Sequence, residues 1–453
     1  MADSLWGPEF VIEPTPKKAR KIKEKIEKSV TPEIDIAKKI KCNSMSLQDK
    51  LELITSNVIR ILGVYKENTV VIKTREQLTE YIDAAIKNNL ICIDTETNNS
   101  LEPITCKLMG PCIYTPGQKN AYIPINHVNP ETGERLEWQL TEQDIYEEFC
   151  RLDNTLIVMH NGKFDYQVIK CTTGKQLKVF WDTMIGTRIL NENEKSAGLK
   201  QQYIAKIDPS IEKYSIDHLF EGVEYAVVDP EIFALYAATD AYMTYKLYEW
   251  QKKQFEKPEH ERLYKLFLEV EMPVMEVAAE MELTGICIDQ EYAKRLSKKY
   301  HDKLDALAEK IDIELSKYDE VIAKWRTTEE ANYKPEKINP KTGEKTFQKS
   351  KSEKLSTPVA LTSPTQLGIL IYDVLKHPAV DKDNPRGTGE DILSKIKLPI
   401  CDLILEQRGL LKLINTYIDK IPQCVCEKDG RLHAHFNQLG ADTGRFSSSD
   451  PNL

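Results

Sequence analysis

The stretch NNLICIDTETNNS, residues 88–100, decides the fold. Leu90, Ile91, Cys92 and Ile93 read as a buried strand, and the run then ends in Asp94, Thr95 and Glu96. Side chains alternate faces along a strand, so Asp94 and Glu96 point the same way. Two like charges side by side repel unless something positive lies between them. An apolar strand that delivers two carboxylates at its end therefore calls for a counter-charge.

The sequence around this stretch alternates strands and helices. TVVIKT (69–74) is a short strand, and Thr74 with Gln77 fits a capping box that opens a helix running to Asn88 and Asn89. TCKLMGPCIYT (105–115) and NAYIPIN (120–126) read as further strands, separated by Gly and Pro. A helix near 141–151 leads to a buried strand in NTLIVMHN (154–161). Asp229 is a good N-cap and Pro230 suits the first helical position of a long helix that continues to Pro258. This is the pattern of an α/β domain over residues 66–257, a mixed sheet with flanking helices.

Three more residues bear on the charge question. Asp165 lies just after the strand, in HNGKFD, and Tyr236 and Asp240 stand four apart in YAATD on the long helix, so they share a face. Ala237 and Ala238 between them are small enough to let that helix approach the sheet. Four carboxylates brought together cannot all stay ionised without cations, and hard oxygen ligands favour Mg²⁺ or Mn²⁺. Two such ions about 4 Å apart can clamp a phosphodiester, activating a water and stabilising the leaving oxygen. A tyrosine hydroxyl nearby can orient that water. The chemistry expected is metal-assisted phosphodiester hydrolysis.

On these motifs the sequence resembles a known group of enzymes. DTET (94–97), NGKFD (161–165) and YAATD (236–240) are similar to the three motifs of the DEDD 3′–5′ exonucleases, in the tyrosine subtype. The resemblance implies a ribonuclease-H-like fold and two-metal removal of nucleotides from a 3′ end. It makes Asp94, Glu96, Asp165 and Asp240 the metal ligands and Tyr236 the residue that positions the water. ELTGICID (282–289), LTSPTQLGILIYDVL (361–375), EQRGLLKLINTYIDKIP (406–422) and GRLHAHFNQLGADTGRFSSSDPNL (430–453) resemble family A DNA polymerases of bacterial or phage type. That resemblance runs from about residue 66 to the end. It implies a proofreading exonuclease followed by a mainly helical thumb region (258–429) and the start of a polymerase palm (430–453). It also implies contact with a 3′ end of single-stranded DNA and with a primer–template duplex, through Thr443, Gly444, Arg445, Ser447, Ser448, Ser449 and Asn452. Phe446 and Asp442 depart from the usual leucine and small residue.

The palm carboxylates of the family come later than Leu453, so the chain as written is not expected to polymerise, and a separate polypeptide carrying palm and fingers is a possible partner. Two other readings stay open: a stand-alone RNA-processing exonuclease, and a duplex-binding subunit without catalysis.

The remaining regions say less. Residues 1–65 read as a charged leader, whose PKKARKIKEKIEK (16–28) holds seven Lys/Arg and two Glu. Tyr292, Leu296, Tyr300, Leu304, Leu307, Ile311, Leu315 and Tyr318 form one core-facing stripe on a long helix ending near Trp325. Residues 326–357 then read as a polar loop with eight Lys/Arg and five Glu, at the tip of a helical hairpin. Ser363, Pro364 and Gln366 restart a helix with a capping box.

His433 and His435 alternate on a strand and carry no metal. Cys424 and Cys426 are the only close pair among ten cysteines, which points to reduced thiols rather than a metal site. The 453 residues are 41% hydrophobic and 29% charged with net charge −9, which excludes a uniformly basic nucleic-acid coat but not local patches. No secretory signal and no apolar span of membrane length stands out, so a cytoplasmic protein is expected.

Overall fold

A computed structural model describes residues 45–453 except 99, 195, 210–218, 221, 335, 339–344, 348 and 442. The basic stretch 16–28 and Asp442 lie outside the described residues.

Strands β1 (Thr69–Val71), β2 (Leu90–Thr97), β3 (Leu108–Tyr114), β4 (Asn120–Tyr122), β5 (Leu156–Met159) and β6 (Val179–Asp182) form one mixed sheet in the order β1-β4-β3-β2-β5-β6. The central strand β2 runs antiparallel to β3 and parallel to β5. Helices cover both faces. On one side lie α1 (Leu47–Leu62) and, later in the chain, the long helix Pro230–Phe255. On the other lie α2 (Arg75–Asn88), α3 (Glu142–Cys150) and α4 (Gly162–Thr173).

The alternation of β2 sorts its side chains between these layers. Ile91 and Ile93 pack with α2, α3 and α4, whereas Cys92 packs with α1 and the long helix. Asp94 and Glu96 follow Cys92 in phase, so they emerge on the long-helix side. Opposite Glu96 in the ladder stands Gly110, where a Cβ would lie 2.2 Å from the Ile123 carbonyl oxygen. Only glycine permits that approach.

Local signals set the helix ends. Thr74 and Gln77 make the expected capping box on α2, and Asn89 closes that helix in the left-handed region at φ 50°. After α4 come α5 (Thr183–Leu190), α6 (Leu199–Lys206) and α7, the long helix Pro230–Phe255, with Asp229 accepting from the backbone N–H of Glu231 and Ile232. Ala234, Ala237, Ala238 and Ala241 are fully buried, and this small-residue face lets α7 lie across the sheet.

Residues 1–65 are not polar throughout. Helix α1 buries Ile54, Val58, Ile61 and Leu62 in the same core as α7, so the globular unit begins before residue 66. The amphipathic run LQDKLELITSNVIRIL carried that signal, masked by the charge that precedes it.

Beyond α7 the chain is mainly helical: α8 (Glu261–Leu266), α9 (Met272–Thr284), β7 (Ile286–Cys287), α10 (Gln290–Ser316) and α11 (Asp319–Asn332). Here the structure departs from the sequence reading in four places. The long helix stops at Ser316 rather than near Trp325, and a second helix restarts after Lys317 and Tyr318. Of the apolar stripe, Leu307, Ile311 and Leu315 are buried, but Tyr292 is 56% exposed. Leu307, Ile311 and Leu315 share one core with Leu367, Ile371, Ile400 and Ile404, whereas the N-terminal half of α10 meets Asp419 through Ser297 and His301.

The described parts of the Lys-rich segment 326–357 fold into regular elements rather than a loop. Helix α11 takes its first residues, strands β8 (Glu336–Ile338) and β9 (Lys345–Phe347) pair antiparallel, and Lys351–Lys354 form a turn of helix. The Arg326 guanidinium gathers the carbonyls of Ser352, Leu355 and Ser356. Finally, Ser363 caps Gln366, but the Gln366 side chain does not return to Ser363. Its carbonyl oxygen accepts from the Ser356 and Ala360 backbone instead.

At the end of the chain β10 (Arg431–Leu432) pairs with β7, and β11 (His435–Asn437) pairs antiparallel with β12 (Ser447–Ser449). Among the described residues no helix is long and apolar enough to cross a membrane.

Candidate active site

Three elements bring the five sequence-derived residues to one place. Asp94 and Glu96 leave the end of β2, Asp165 sits in the first turn of α4, and Tyr236 and Asp240 share a face of α7. One carboxylate oxygen each of Asp94 and Glu96 and the Cys112 thiol lie within 4.8 Å of one another. Asp165 and Asp240 are not in that tightest set; they flank it and are felt through their charge. Asp165, Asp240 and Glu96 all raise the pKa of Asp94.

Each flanking acid is held by a neighbour that the sequence reading missed. Thr95 points to the opposite face of β2 from Asp94, and there its hydroxyl donates to Asp165 at 2.6 Å. Lys200, from α6, stands 3.4 Å from Asp240 Oδ2 and 4.7 Å from the centre of the Tyr236 ring. Asp240 Oδ1 is buried with no hydrogen-bond partner. The N-terminus of α4 is anchored by buried Asp182, which accepts from the Asn161 and Gly162 backbone at 3.1 and 2.7 Å and from Met184 on α5 at 2.7 Å. Lys200 and Asp182 were invisible because a lysine and an aspartate at such spacings carry no distinctive motif, and Thr95, though inside DTET, gives no sign in the sequence of its bond to Asp165.

Burial and crowding set the protonation of the cluster. Burial pushes the Glu96 carboxyl up to about 8, with Asp240 adding to the rise and Lys200 opposing it. Burial also lifts Asp165 to about 7, partly offset by the Thr95 hydroxyl. Asp94 is raised well above the usual carboxylate range by burial first and by Asp165 next. Burial, then Glu96 and Asp240, raise Tyr236 far above an ordinary phenol, so its hydroxyl stays a donor. For Lys200, burial pulls the ammonium down, but Asp240 and Glu96 outweigh it and leave the pKa raised. Such a set holds protons at neutral pH unless a cation displaces them.

The second group of candidate residues lies apart, on the terminal hairpin. Thr443, Gly444, Arg445, Ser447, Ser449 and Asn452 are exposed and Ser448 is partly covered. The three serines are strand β12, paired with His435, Phe436 and Asn437.

Comparison with known proteins gives concordant results. Residues 69–256 match the family model described as 3′–5′ exonuclease, and residues 336–453 match the one described as DNA polymerase family A. A DNA polymerase I of Chloroflexus aurantiacus is 29% identical over 381 residues, covering 80% of this chain and 34% of that protein. One from Synechocystis is 30% identical over 393 residues, covering 83% and 34%. A thermostable DNA polymerase I of Thermus thermophilus is 34% identical over 198 residues, covering 43% and 19%. The chain thus spans about a third of the first two relatives, 34% in each case. Among solved structures, the POL domain of Pol1 from M. smegmatis, in complex with DNA primer-template and dNTP, matches with a TM-score of 0.60 at 18% identity. That match covers 85% of this chain and 55% of the other, and it supports the fold.

Proposed function

We propose, from the premise that the chain belongs to DNA polymerase family A and carries a 3′–5′ exonuclease domain, that it removes nucleotides from the 3′ end of DNA at the carboxylate cluster, as a proofreading activity in replication. The observation that carries this reading is the convergence of Asp94, Glu96, Asp165 and Asp240, from three separate elements, on one crowded and partly buried place.

The residues fit divalent cations. Asp240 Oδ1 is a buried oxygen without a partner, and the donor set is dominated by carboxylates, which suits Mg²⁺ or Mn²⁺. Asp94, Glu96, Asp165 and Asp240 would hold two such ions. Bound there, the ions supply a more acidic water and neutralise charge on the phosphodiester. The chain's own groups do the rest. Thr95 holds Asp165 in place, and Lys200 does so for Asp240. The protonated Tyr236 hydroxyl orients a water on the same face of α7.

In the same reading residues 258–429 are a thumb that grips duplex, and 430–453 begin the palm. The exposed Arg445 meets phosphate, while the hydroxyls of Thr443 and Ser447–Ser449 and the amide of Asn452 donate to phosphate or minor-groove acceptors. Gly444, at φ 71°, lets the backbone come close.

The test uses single-stranded DNA labelled at its 5′ end, with RNA of equal length alongside. Stepwise loss from the 3′ end in Mg²⁺, absent in EDTA and abolished in the Asp94→Ala, Glu96→Ala double variant, is expected. Undiminished digestion by that variant would overturn the site. Faster digestion of the RNA would replace proofreading with RNA processing.

A further inference from the structure

Among the described residues, Lys200 brings a fixed cation to the site. Lys200 lies in the first turn of α6, and its ammonium reaches across to the face of α7 that looks onto the carboxylates. There it touches both functional side chains of α7: Asp240 Oδ2 at 3.4 Å and the Tyr236 ring at 4.7 Å from its centre. Tyr236 and Asp240 are one helical turn apart, so a single ammonium spans them. The side chain is 25% exposed, which keeps its charge only weakly screened. It also acts on Glu96 and Asp94 across the cleft. The Asp240 carboxylate is thereby divided. One oxygen faces the ammonium, and the other is buried without a partner.

The pair leaves Asp240 Oδ1 without a partner, and it places a positive charge beside Asp240, Glu96 and Asp94, three of the four acids that would hold a divalent cation. Like charges in one set oppose each other. We propose that Lys200 is a positioning residue of the exonuclease site: it fixes the Asp240 carboxylate and the Tyr236 ring on α7, and its charge holds the divalent-cation affinity of the acids below what they would have alone. The inference rests on the exonuclease reading above and adds a residue to it.

Two effects of opposite sign follow from removing the charge. Cation binding strengthens, because a repelling neighbour is gone. Turnover weakens, because Asp240 and Tyr236 lose the group that orients them. A residue that served folding alone would weaken both or neither.

The experiment compares the wild-type chain with Lys200→Gln and Lys200→Arg. Mn²⁺ binding is read from the electron paramagnetic resonance of the free ion. Turnover and KM are measured on 5′-labelled single-stranded DNA, and thermal melting confirms the fold. The Gln variant should bind Mn²⁺ at least about fivefold tighter. Its kcat should fall about tenfold or more, with KM for DNA within about twofold. The Arg variant, which keeps the charge, should retain wild-type Mn²⁺ affinity within about twofold.

A Gln variant with wild-type kcat, or with unchanged or weaker Mn²⁺ binding, overturns the proposal. So does an Arg variant that binds Mn²⁺ as tightly as a charge-free one should, which keeps the test valid if the Gln variant does not fold. The Asp94→Ala, Glu96→Ala variant run alongside separates the two levels. If wild-type protein neither binds Mn²⁺ nor degrades DNA, the exonuclease reading itself fails. If both activities are present and lost in the double variant while Lys200→Gln behaves as wild type, only the role of Lys200 fails.

Discussion

Raising the pH of the protein in EDTA from 5 to 8 should destabilise it, and a divalent cation should reverse the loss. In the unfolded chain the Glu96 and Asp165 carboxyls release their protons near 4.5 and 3.8, whereas in the folded protein they keep them until about 8 and about 7. Between those limits the folded state binds more protons than the unfolded one, so stability falls as pH rises. Below about pH 4 both states are largely protonated and the slope fades, and it fades again only well above pH 8, because folded Glu96 is half ionised there. One pKa unit is worth about 1.4 kcal/mol. The acids titrate together, so crediting the whole cluster with only about two such units gives a loss of about 3 kcal/mol. For a chain of this size that is a fall in melting temperature of about 3 °C. Thermal melts in EDTA at pH 5, 6, 7 and 8, repeated with Mg²⁺, read it directly. The Glu96→Gln, Asp165→Asn double variant isolates the cluster from other titrating groups, and its melting temperature should be nearly flat across the window. A wild-type melting temperature that rises or stays level from pH 5 to 8, or a double variant with the wild-type slope, would refute the account of the site as a set of crowded acids.

Two further outcomes follow. Glu282→Ala strips a buried acceptor from Lys163, Gln167 and the Phe436 N–H, so it should cost about 3 kcal/mol, read by urea unfolding, whereas changing the exposed Glu291 should cost under about 0.5 kcal/mol. Arg445→Ala should weaken duplex binding about equally for all sequences and lower the slope of log affinity against log salt by about 1, as fluorescence anisotropy titrations at several salt concentrations would show.

The sheet and the site were largely legible because their signals are local or periodic. The alternation of β2 places Asp94 and Glu96 on one face, and the spacing of Tyr236 and Asp240 follows from the helical turn. Capping residues placed the starts of α2 and α7 within a residue. What escaped depends on tertiary partners. Lys200 is an unremarkable lysine in KQQYIAK until α6 is laid beside α7. Cys112 becomes part of the site only through the β2–β3 register, which sets it opposite Asp94. The stripe on α10 has the right period along its whole length, but period cannot say which of its positions a partner covers, and Tyr292 is left exposed. The Lys-rich segment was misread for a related reason. Composition reports what a segment can avoid burying, not whether one arginine has collected its carbonyls.

The buried Glu282 carboxylate ties the helix that carries Asp165 to the terminal hairpin, and this bears on how a DNA end could pass between them. Helix α4 carries Asp165 in its first turn and, from the same turns, Lys163 and Gln167 toward α9. There Glu282, 4% exposed, accepts from Lys163 Nζ at 2.5 Å, from Gln167 Nε2 at 2.7 Å and from the Phe436 backbone N–H at 2.5 Å. Lys163 also donates to the Phe436 carbonyl at 2.6 Å. Both backbone groups of one β11 residue are thus held by side chains of α4 and α9, as a neighbouring strand would hold them. Strand β11 in turn pairs with β12, whose serines follow Arg445. Opening this junction would strand a buried carboxylate, an ammonium and a peptide group together, which is far more costly than breaking a surface ion pair. If the hairpin holds duplex, the acid cluster cuts 3′ ends and this costly junction stays closed, the protein does not carry the end across. The end must then reach the acids by unpairing and moving itself, and the number of unpaired nucleotides needed becomes a property of this fold.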